Sequence, residues 1–524
     1  MSEFNNDNIS FWTDTVDLPS YPTLENDTST EVLVVGAGIT GLMNAYKLAM
    51  QGRKVMVLEA NKVLTGTTAN TTARLMAQQG PLYSQISRQQ DKETARLYYE
   101  SQMAAIDEIE SISRKHNIDC DFRRVDGVMY AENESSVKDL EKEAKVYEDL
   151  DIDGSLLKEQ FDLPFETVAQ LVMRNQGEFH PLKFLKGILG VLEEKGVEIY
   201  EHVMGKGVEG NTLKTSEGIS IDFEHLVVAT HFPFLDYQGF YFNSFKINRS
   251  YGLVVTTSTP PSENLSLNGF DGPGLTTRNI VNPDKELPTV LFGGLGHMSY
   301  DEQDMTGQLE KLRLYADQKT TNHERLYAFR AQDQMTVDSL PYIGYFDQKH
   351  ENRFVASGFN KYGMTNGVLS SMIISDLIAG NENRYHDMVS PHRKKGTFAQ
   401  LKQFATTPLE SLGVEAKNML KNYPDINEAN LSAGEGAVVQ DGMMKKGLYR
   451  DEDSNEYLVV DNRCTHMGCS LSWNQEDRTW DCPCHGSRFN FKGNVIEGPA
   501  TEDLDVEIKK KRMTNSINVP VLRD

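Results

Sequence analysis

VLVVGAGITGLMNAYKLAMQGRKVMVLEA, residues 32–60, reads as strand, glycine turn, helix and strand. Val32 to Val35 is an apolar run short enough for a buried parallel strand. Apolar residues at helical spacing run from Ile39 to Met50, and Lys54 to Leu58 is a second strand. Between the first strand and the helix, Gly36, Gly38 and Gly41 fit G-x-G-x-x-G. Gly36 permits the tight turn, Gly38 lets a pyrophosphate approach the backbone, and Gly41 lets the helix pack against the sheet. The helix start offers N–H groups and a positive dipole end to phosphate. Glu59 ends the second strand, where a carboxylate accepts hydrogen bonds from a ribose diol. A glycine triplet alone is weak evidence. With strand, helix and acid all in place, it reads as a dinucleotide site on an α/β domain.

The chain around this segment has 524 residues, enough for about three domains at ~150 residues each. Charged residues are 25% and the hydrophobic set 39%, values of a globular chain. A net charge of −23 argues against nucleic acid and against an anionic membrane surface, both of which need clustered Lys and Arg. No apolar run is long enough to span a bilayer, and the first residues carry no secretory pattern, so the expected location is the cytoplasm. Residues 1–30 read as an arm with few apolar anchors, and 91–150 as charged and helical. A helix is expected over 182–195, a strand over Leu226–Ala229, and antiparallel sheet from 246 to about 335. Another strand covers Phe354–Ser357, a helix Val368–Ile378, and 388–430 reads as a connector carrying a helix or two. Short strands and turns follow from Leu431.

Four of the five cysteines fall in that last region, in CTHMGC (464–469) and CPCHGS (482–487). Cys464 and His466 form one ligand pair, Cys482 and His485 the other. Two thiolates and two imidazoles fit a Rieske [2Fe–2S] centre, in which neutral histidines make the cluster less negative and raise its potential. The same Cys₂His₂ set can also hold Zn²⁺ tetrahedrally. Cys120 stands apart and reads as a structural thiol.

Three stretches together carry a family resemblance. Residues 32–60 with the polar loop NKVLTGTTANTTARL, then LVVATHFPF (226–234), then DSLPYIG (338–344) with RFVASGFNKYGMTNGVLSSMIISDLIAG (353–380), resemble the D-amino-acid oxidase family of FAD-dependent oxidoreductases. The arm, SYPTLENDTSTEVLVVGAGITG, looks most like γ-glutamylputrescine oxidoreductases within it. The resemblance implies FAD held by Gly36, Gly38, Thr40, Gly41, Glu59, Thr67, Thr68 and Thr230. It implies that Gly358, Phe359, Asn360, Gly363, Met364 and Thr365 approach the flavin. Sarcosine oxidases of the family carry a carboxylate-pairing Lys where this chain has Thr365, which weakens a simple amino-acid substrate. They also carry a flavin-linked Cys where Ala331 stands, so noncovalent FAD is expected. No second G-x-G-x-x-G follows a strand, so electrons are expected from an organic substrate, not a nicotinamide. Tyr251, His297 and Lys361 are the candidate catalytic side chains.

The C-terminal region resembles the high-potential Rieske proteins of cytochrome complexes. That resemblance implies a disulfide between Cys469 and Cys484 joining the two ligand loops. It implies a serine donor at Ser487, and a lower potential because Phe489 replaces their usual Tyr.

The expected fold class is α/β plus β: a FAD-binding Rossmann-like domain with an interleaved antiparallel-sheet substrate domain, followed by an all-β Rieske domain. The expected boundaries are an arm over 1–30, the oxidoreductase over 31–387, a connector over 388–430 and the Rieske domain over 431–524. FAD-binding parts are expected near 31–90, 180–235 and 335–385. The expected function is oxidation of a C–N bond in a small amine or amino-acid-like substrate. Electrons then pass singly through the cluster to an external one-electron acceptor. A cluster-fed flavin reductase or hydroxylase, and a non-enzymatic electron-transfer or redox-sensing protein, are the alternatives.

Overall fold

The structure is a computed structural model, and it describes residues 9–235, 241–272, 274–299, 306–393, 421–454 and 456–509. The chain divides into two compact units, Met1–Glu410 and Ser411–Asp524.

The larger unit is built on two sheets. The first runs in the order Tyr342–Tyr345, Arg353–Ser357, Ser220–Val228, Thr28–Val35, Val55–Leu58, Glu198–Tyr200. Its last five strands are mutually parallel, and Tyr342–Tyr345 is an antiparallel edge. Val32, Leu33 and Val34 are fully buried between helices Ile39–Met50 and Gly363–Ile378 on one face and a second core on the other. The strand order reverses between Thr28–Val35 and Ser220–Val228, so the carboxyl ends of these two strands open a crevice where ligands of such sheets bind.

The second sheet has nine strands, in the order Asn322–Thr336, Phe245–Thr257, Thr289–Met298, Thr276–Ile280, Leu265–Gly269, Arg123–Ala131, Ala169–Glu178, Arg74–Leu75, with Gly154–Leu156 beside Ala169–Glu178. It is antiparallel except for Leu265–Gly269 against Arg123–Ala131. Its strands come from segments between those of the first sheet, which is the interleaving expected. One of its faces carries the core of Leu253, Val255, Val290 and Phe292 under helix Thr306–Lys319.

Two expectations need correcting. Residues 91–150 are not continuously helical: helices Lys92–Lys115 and Glu134–Asp149 flank strand Arg123–Ala131, which finds a strand partner on each side. The arm is also anchored. Phe11 and Trp12, on the short helix Phe11–Asp14, are buried, and Trp12 Nε1 donates to Thr71 O at 2.7 Å.

The smaller unit is all β, with two antiparallel four-stranded sheets. One is Gly436–Asp441, Met444–Arg450, Tyr457–Asp461, Val506–Lys509; the other is Ser472–Asn474, Thr479–Asp481, Arg488–Asn490, Val495–Glu497. Ile426 packs against the first of their cores, and Asp425 bridges to Gln440. Most of the connector, 394–420, lies outside the described residues. Among the described residues no helix is long and apolar enough to cross a membrane.

Candidate functional site

The glycine turn sits at the crevice of the first sheet. Gly36 has φ +106°, and a Cβ there would fall on the carbonyl of Ala229, at the end of the neighbouring strand. A Cβ on Gly41 would collide with the Gly36 carbonyl, so this glycine is needed for helix packing. Gly38 is the N-cap of helix Ile39–Met50 and offers no side chain to its first N–H groups. Those groups face the crevice, with the positive end of the helix dipole behind them.

Glu59 accepts from Ala37 N and from Asn61 N, each at 2.9 Å, and burial pushes its carboxyl above the ordinary range. Thr68, on the turn Thr67–Ala69, accepts from Ile39 N at 3.1 Å and closes the loop over the helix start. The Thr230 hydroxyl donates to Phe232 O at 2.6 Å. Glu201, which the sequence reading passed over, is buried and staples three segments. It accepts from Val63 N at 2.8 Å and Tyr21 N at 3.1 Å.

The second turn lies where strand Arg353–Ser357 leads into helix Gly363–Ile378. Gly358, Asn360 and Lys361 all have positive φ, +69°, +51° and +74°. For the two non-glycine residues that is a strained backbone, of the kind held at functional sites. Asn360 makes the turn possible: its Oδ1 accepts from Thr336 N at 2.7 Å and its Nδ2 donates to Gly358 O at 3.0 Å. The helix that follows packs against Ile39–Met50, with Gly367 against Ile39 and Thr40, and Asn44 donating to Ser370 at 2.9 Å. Met364 is buried, and the Thr365 hydroxyl donates to Gln102 Oε1 at 2.6 Å. Tyr362 caps this helix without a side-chain bond.

Strand Thr289–Met298 comes between the two turns. A Cβ on Gly293 would meet Thr72, and one on Gly296 would meet Lys361 Nζ, so two glycines let both cofactor loops approach one sheet face. The structure does not bring the three catalytic candidates together. His297 and Tyr251 form a pair, Nε2 to Oη 3.0 Å, and Tyr251 packs with Leu253, Val255, Leu309 and Leu312 under helix Thr306–Lys319. The Met298 carbonyl, 3.0 Å from His297 Nδ1, accepts from that nitrogen and so holds a proton on it. Lys361 reaches the same strand from the cofactor side. Its side chain is exposed, yet desolvation by the surrounding protein lowers the ammonium's pKa, partly offset by Asp333.

One further residue belongs to this face. Arg74 is buried and donates through Nε to Ser266 Oγ at 2.8 Å, but its Nη2 has no acceptor among the described residues. Burial lowers its pKa, and nearby Tyr362 and Glu178 counter that. Burial in turn raises Tyr362. A guanidinium left partly unpaired in the interior is costly unless a ligand completes it. In the sequence, Arg74 stood inside the threonine loop with no periodicity to mark it.

The smaller unit holds two matched loops. Gly468 N donates to Cys464 O at 2.8 Å, and Gly486 N to Cys482 O at 3.1 Å; both glycines have positive φ, +75° and +77°. Cys464 and Cys482 are buried, in hydrogen-bond contact with each other, and a Ser487 contact also bears on Cys464. The contact between the two sulfurs lowers the Cys464 thiol and raises Cys482. The His466 and His485 rings lie 5.1 Å apart and nearly perpendicular, and burial lowers His485 to about 4. A disulfide joins Cys469 to Cys484 beside the Cys482 sulfur. With that pair spent on each other, two thiols and two imidazoles remain, the donor set of a Rieske cluster. Phe489 is fully buried behind them against Trp480.

Comparisons with known proteins match both parts of the chain to families. The FAD dependent oxidoreductase family (DAO) matches residues 31–377, and the Rieske [2Fe-2S] domain matches 421–510. YhfW of Bacillus subtilis (strain 168), provisionally named a Rieske 2Fe-2S iron-sulfur protein, is 36% identical over 94% of this chain and 96% of its own length. The gamma-glutamylputrescine oxidoreductase of Escherichia coli (strain K12) is 23% identical over 71% of this chain and 89% of its own. Among solved structures, glycine oxidase from Geobacillus kaustophilus superposes with a TM-score of 0.58 at 17% identity, covering 70% of this chain and 99% of that one. The chain is therefore an oxidoreductase of the FAD dependent oxidoreductase (DAO) family that carries a C-terminal Rieske [2Fe-2S] domain.

Proposed function

We propose that this chain is a dehydrogenase for a small amine bearing a carboxylate, with electrons leaving one at a time for an external acceptor. The observation that carries the substrate class is the buried Arg74, with Nη2 unmatched, on the sheet face shared with Lys361 and Tyr362. Bound FAD would supply hydride acceptance from the carbon next to nitrogen, and the bound cluster would supply single-electron output.

The chain's own part is binding and orientation. Gly36, Gly38, Gly41 and the start of helix Ile39–Met50 would cradle the pyrophosphate, and Glu59 the ribose. The turn at Gly358–Gly363 would hold the flavin end. Arg74 would take the substrate carboxylate, supplying the cation that the family's lysine supplies where this chain has Thr365. Lys361, with its ammonium below the usual range, would hold or release a proton at Nζ near the amine. Ala331 lies on strand Asn322–Thr336 opposite Ser250 and offers no sulfur, which supports noncovalent FAD. Cys464, His466, Cys482 and His485 would ligate the cluster.

The test is anaerobic stopped-flow with amino acids, their N-methyl forms and the matching decarboxylated amines. Flavin absorbance should bleach first and cluster absorbance second, and only the carboxylate-bearing compounds should act fast. Cluster reduction preceding flavin reduction would reverse the direction of flow. No bleaching by any amine would leave an electron-transfer protein.

A further inference from the structure

Arg393 lies near the start of the connector to the cluster-bearing unit, at the end of the described residues 306–393, and beyond the part of the chain that matches the oxidoreductase family. It is not a surface residue. Its side chain is 4% exposed, and the Asp338 side chain it meets is 3% exposed. The pairing is bidentate: Nε donates to Asp338 Oδ2 at 2.7 Å and Nη2 to Oδ1 at 2.6 Å. Nη1 donates to Pro341 O and Ser390 O, and Nη2 to Leu340 O, each at 3.0 Å. Every N–H of the guanidinium therefore has an acceptor. The plane also lies over the Tyr342 ring, 4.5 Å from its centre.

The groups Arg393 holds belong to the segment that supports the second cofactor turn. Thr336 Oγ1 donates to Leu340 O at 2.9 Å, and Thr336 N donates to Asn360 Oδ1 at 2.7 Å. A Cβ on Gly358 would sit 2.6 Å from the Thr336 methyl, so Thr336 and the turn cannot move independently. Strand Tyr342–Tyr345 then pairs with Arg353–Ser357, which delivers Gly358. The residues before Arg393 pack on the same edge: a Cβ on Gly344 would meet His386 at 2.7 Å, and the His386 ring lies edge-on to Tyr345. From Arg393 the contacts run through Asp338 and Leu340 to Thr336, and from there to the backbone of Gly358 and Asn360.

We propose that Arg393 is a positioning residue for the cofactor turn, and that through it FAD binding and anchorage of the connector's first residues are reciprocally coupled. This rests on the reading that the turn at Gly358–Gly363 holds FAD. If the clamp stabilises the turn that binds FAD, then FAD must stabilise the clamp by the same factor. The connector toward the cluster unit then starts from a point fixed by flavin occupancy, in contrast to a chain that leaves the surface freely.

Arg393 also provides its own readout. Trypsin can cut after Arg393 only when the guanidinium has left Asp338. In the unmodified chain, the rate of cutting at the Arg393–Lys394 bond, followed by mass spectrometry, should fall at least fivefold when FAD is added to flavin-depleted protein. Cutting tracks the open population when reclosing is fast. In Arg393→Ala the dissociation constant for FAD, read by flavin fluorescence, should rise tenfold or more, with Arg393→Lys between the two. Arg384→Ala, at an exposed arginine paired with Glu100, should leave it unchanged.

An FAD affinity within twofold of the parent in Arg393→Ala, or cutting after Arg393 indifferent to FAD, would overturn the coupling. Should Arg393→Ala fail to fold, Arg393→Lys and the trypsin rates of the unmodified chain decide. A parent chain that binds no FAD would sink the proposed function itself, which is a different result from unchanged affinity in the variant.

Discussion

Lys361 meets strand Thr289–Met298 at Gly296, while His297 of that strand turns to Tyr251 in the core on the opposite face, and that sets what each can do. The pattern of the sequence put both near the flavin, because strand alternation cannot be phased across a bulge such as the one between Arg249 and Tyr251. Lys361→Met should lower kcat/KM by about 10²-fold with FAD still bound, the usual scale for losing a positioned acid or base. Tyr251→Phe should leave turnover near the parent value and cost about 0.5–1.5 kcal/mol of stability, since it removes the buried hydrogen bond to His297. Steady-state kinetics and denaturant unfolding separate the two. His180 makes a pH prediction. Burial, then the charges of Lys183 and Arg278, lower it to about 3. Its Nδ1 caps helix Pro181–Glu194 by accepting from Lys183 N, and its Nε2 bonds Thr15 of the arm. Because the folded pKa lies below the unfolded value, this stability is present above about pH 6.5 and is lost as the pH falls toward about 3. His180→Asn keeps a capping acceptor. It should start less stable at pH 7, through lost packing on Phe11 and Trp12, yet lose on the order of 2–3 kcal/mol less on going to pH 4. Thermal unfolding across that pH range reads the difference in slope.

Helix Ile39–Met50 is legible to the residue from apolar spacing and the glycine before it, because local geometry sets both its ends. Gly36→Ala should abolish FAD binding without unfolding the smaller unit. A methyl there would meet the Ala229 carbonyl and force a backbone sign that alanine resists. Flavin absorbance after gel filtration gives the answer, with the cluster spectrum as the internal control. Strand Arg123–Ala131 was not legible, since what makes it a strand is its partners Leu265–Gly269 and Ala169–Glu178, which are distant in sequence. In the smaller unit the disulfide closes a separation of 15 residues between the two ligand loops, a crosslink worth about 3 kcal/mol. Thiol titration under denaturing, non-reducing conditions should find three free thiols, Cys120, Cys464 and Cys482. Five would show that the loops are held by the cluster alone.

At the scale of the molecule, two units with separate cores should respond separately to loss of their cofactors. Cys464, Cys482, Trp480 and Phe489 share one core, so iron binding is part of that unit's folding free energy. Removing iron with a chelator should lower the calorimetric transition of the smaller unit by roughly 10 °C or more and leave the flavin spectrum in place. A single transition that shifts as a whole would show that the two units unfold together. The glycine turn, the paired Cys–His motifs and the alternation of strands with helices were readable along the chain. Each depends on residues close in sequence, whose spacing the backbone converts directly into a turn, a ligand pair or a periodic face. Nothing local marks Arg74 as a buried cation with Nη2 unmatched among the described residues, Glu201 as the staple of the arm, or Arg393 as part of the clamp on the cofactor turn. Those roles come from which distant carboxylate, carbonyl or empty corner each long side chain meets once the two sheets have closed. Burial, and with it the cost of an unmatched charge, exists only in the folded chain.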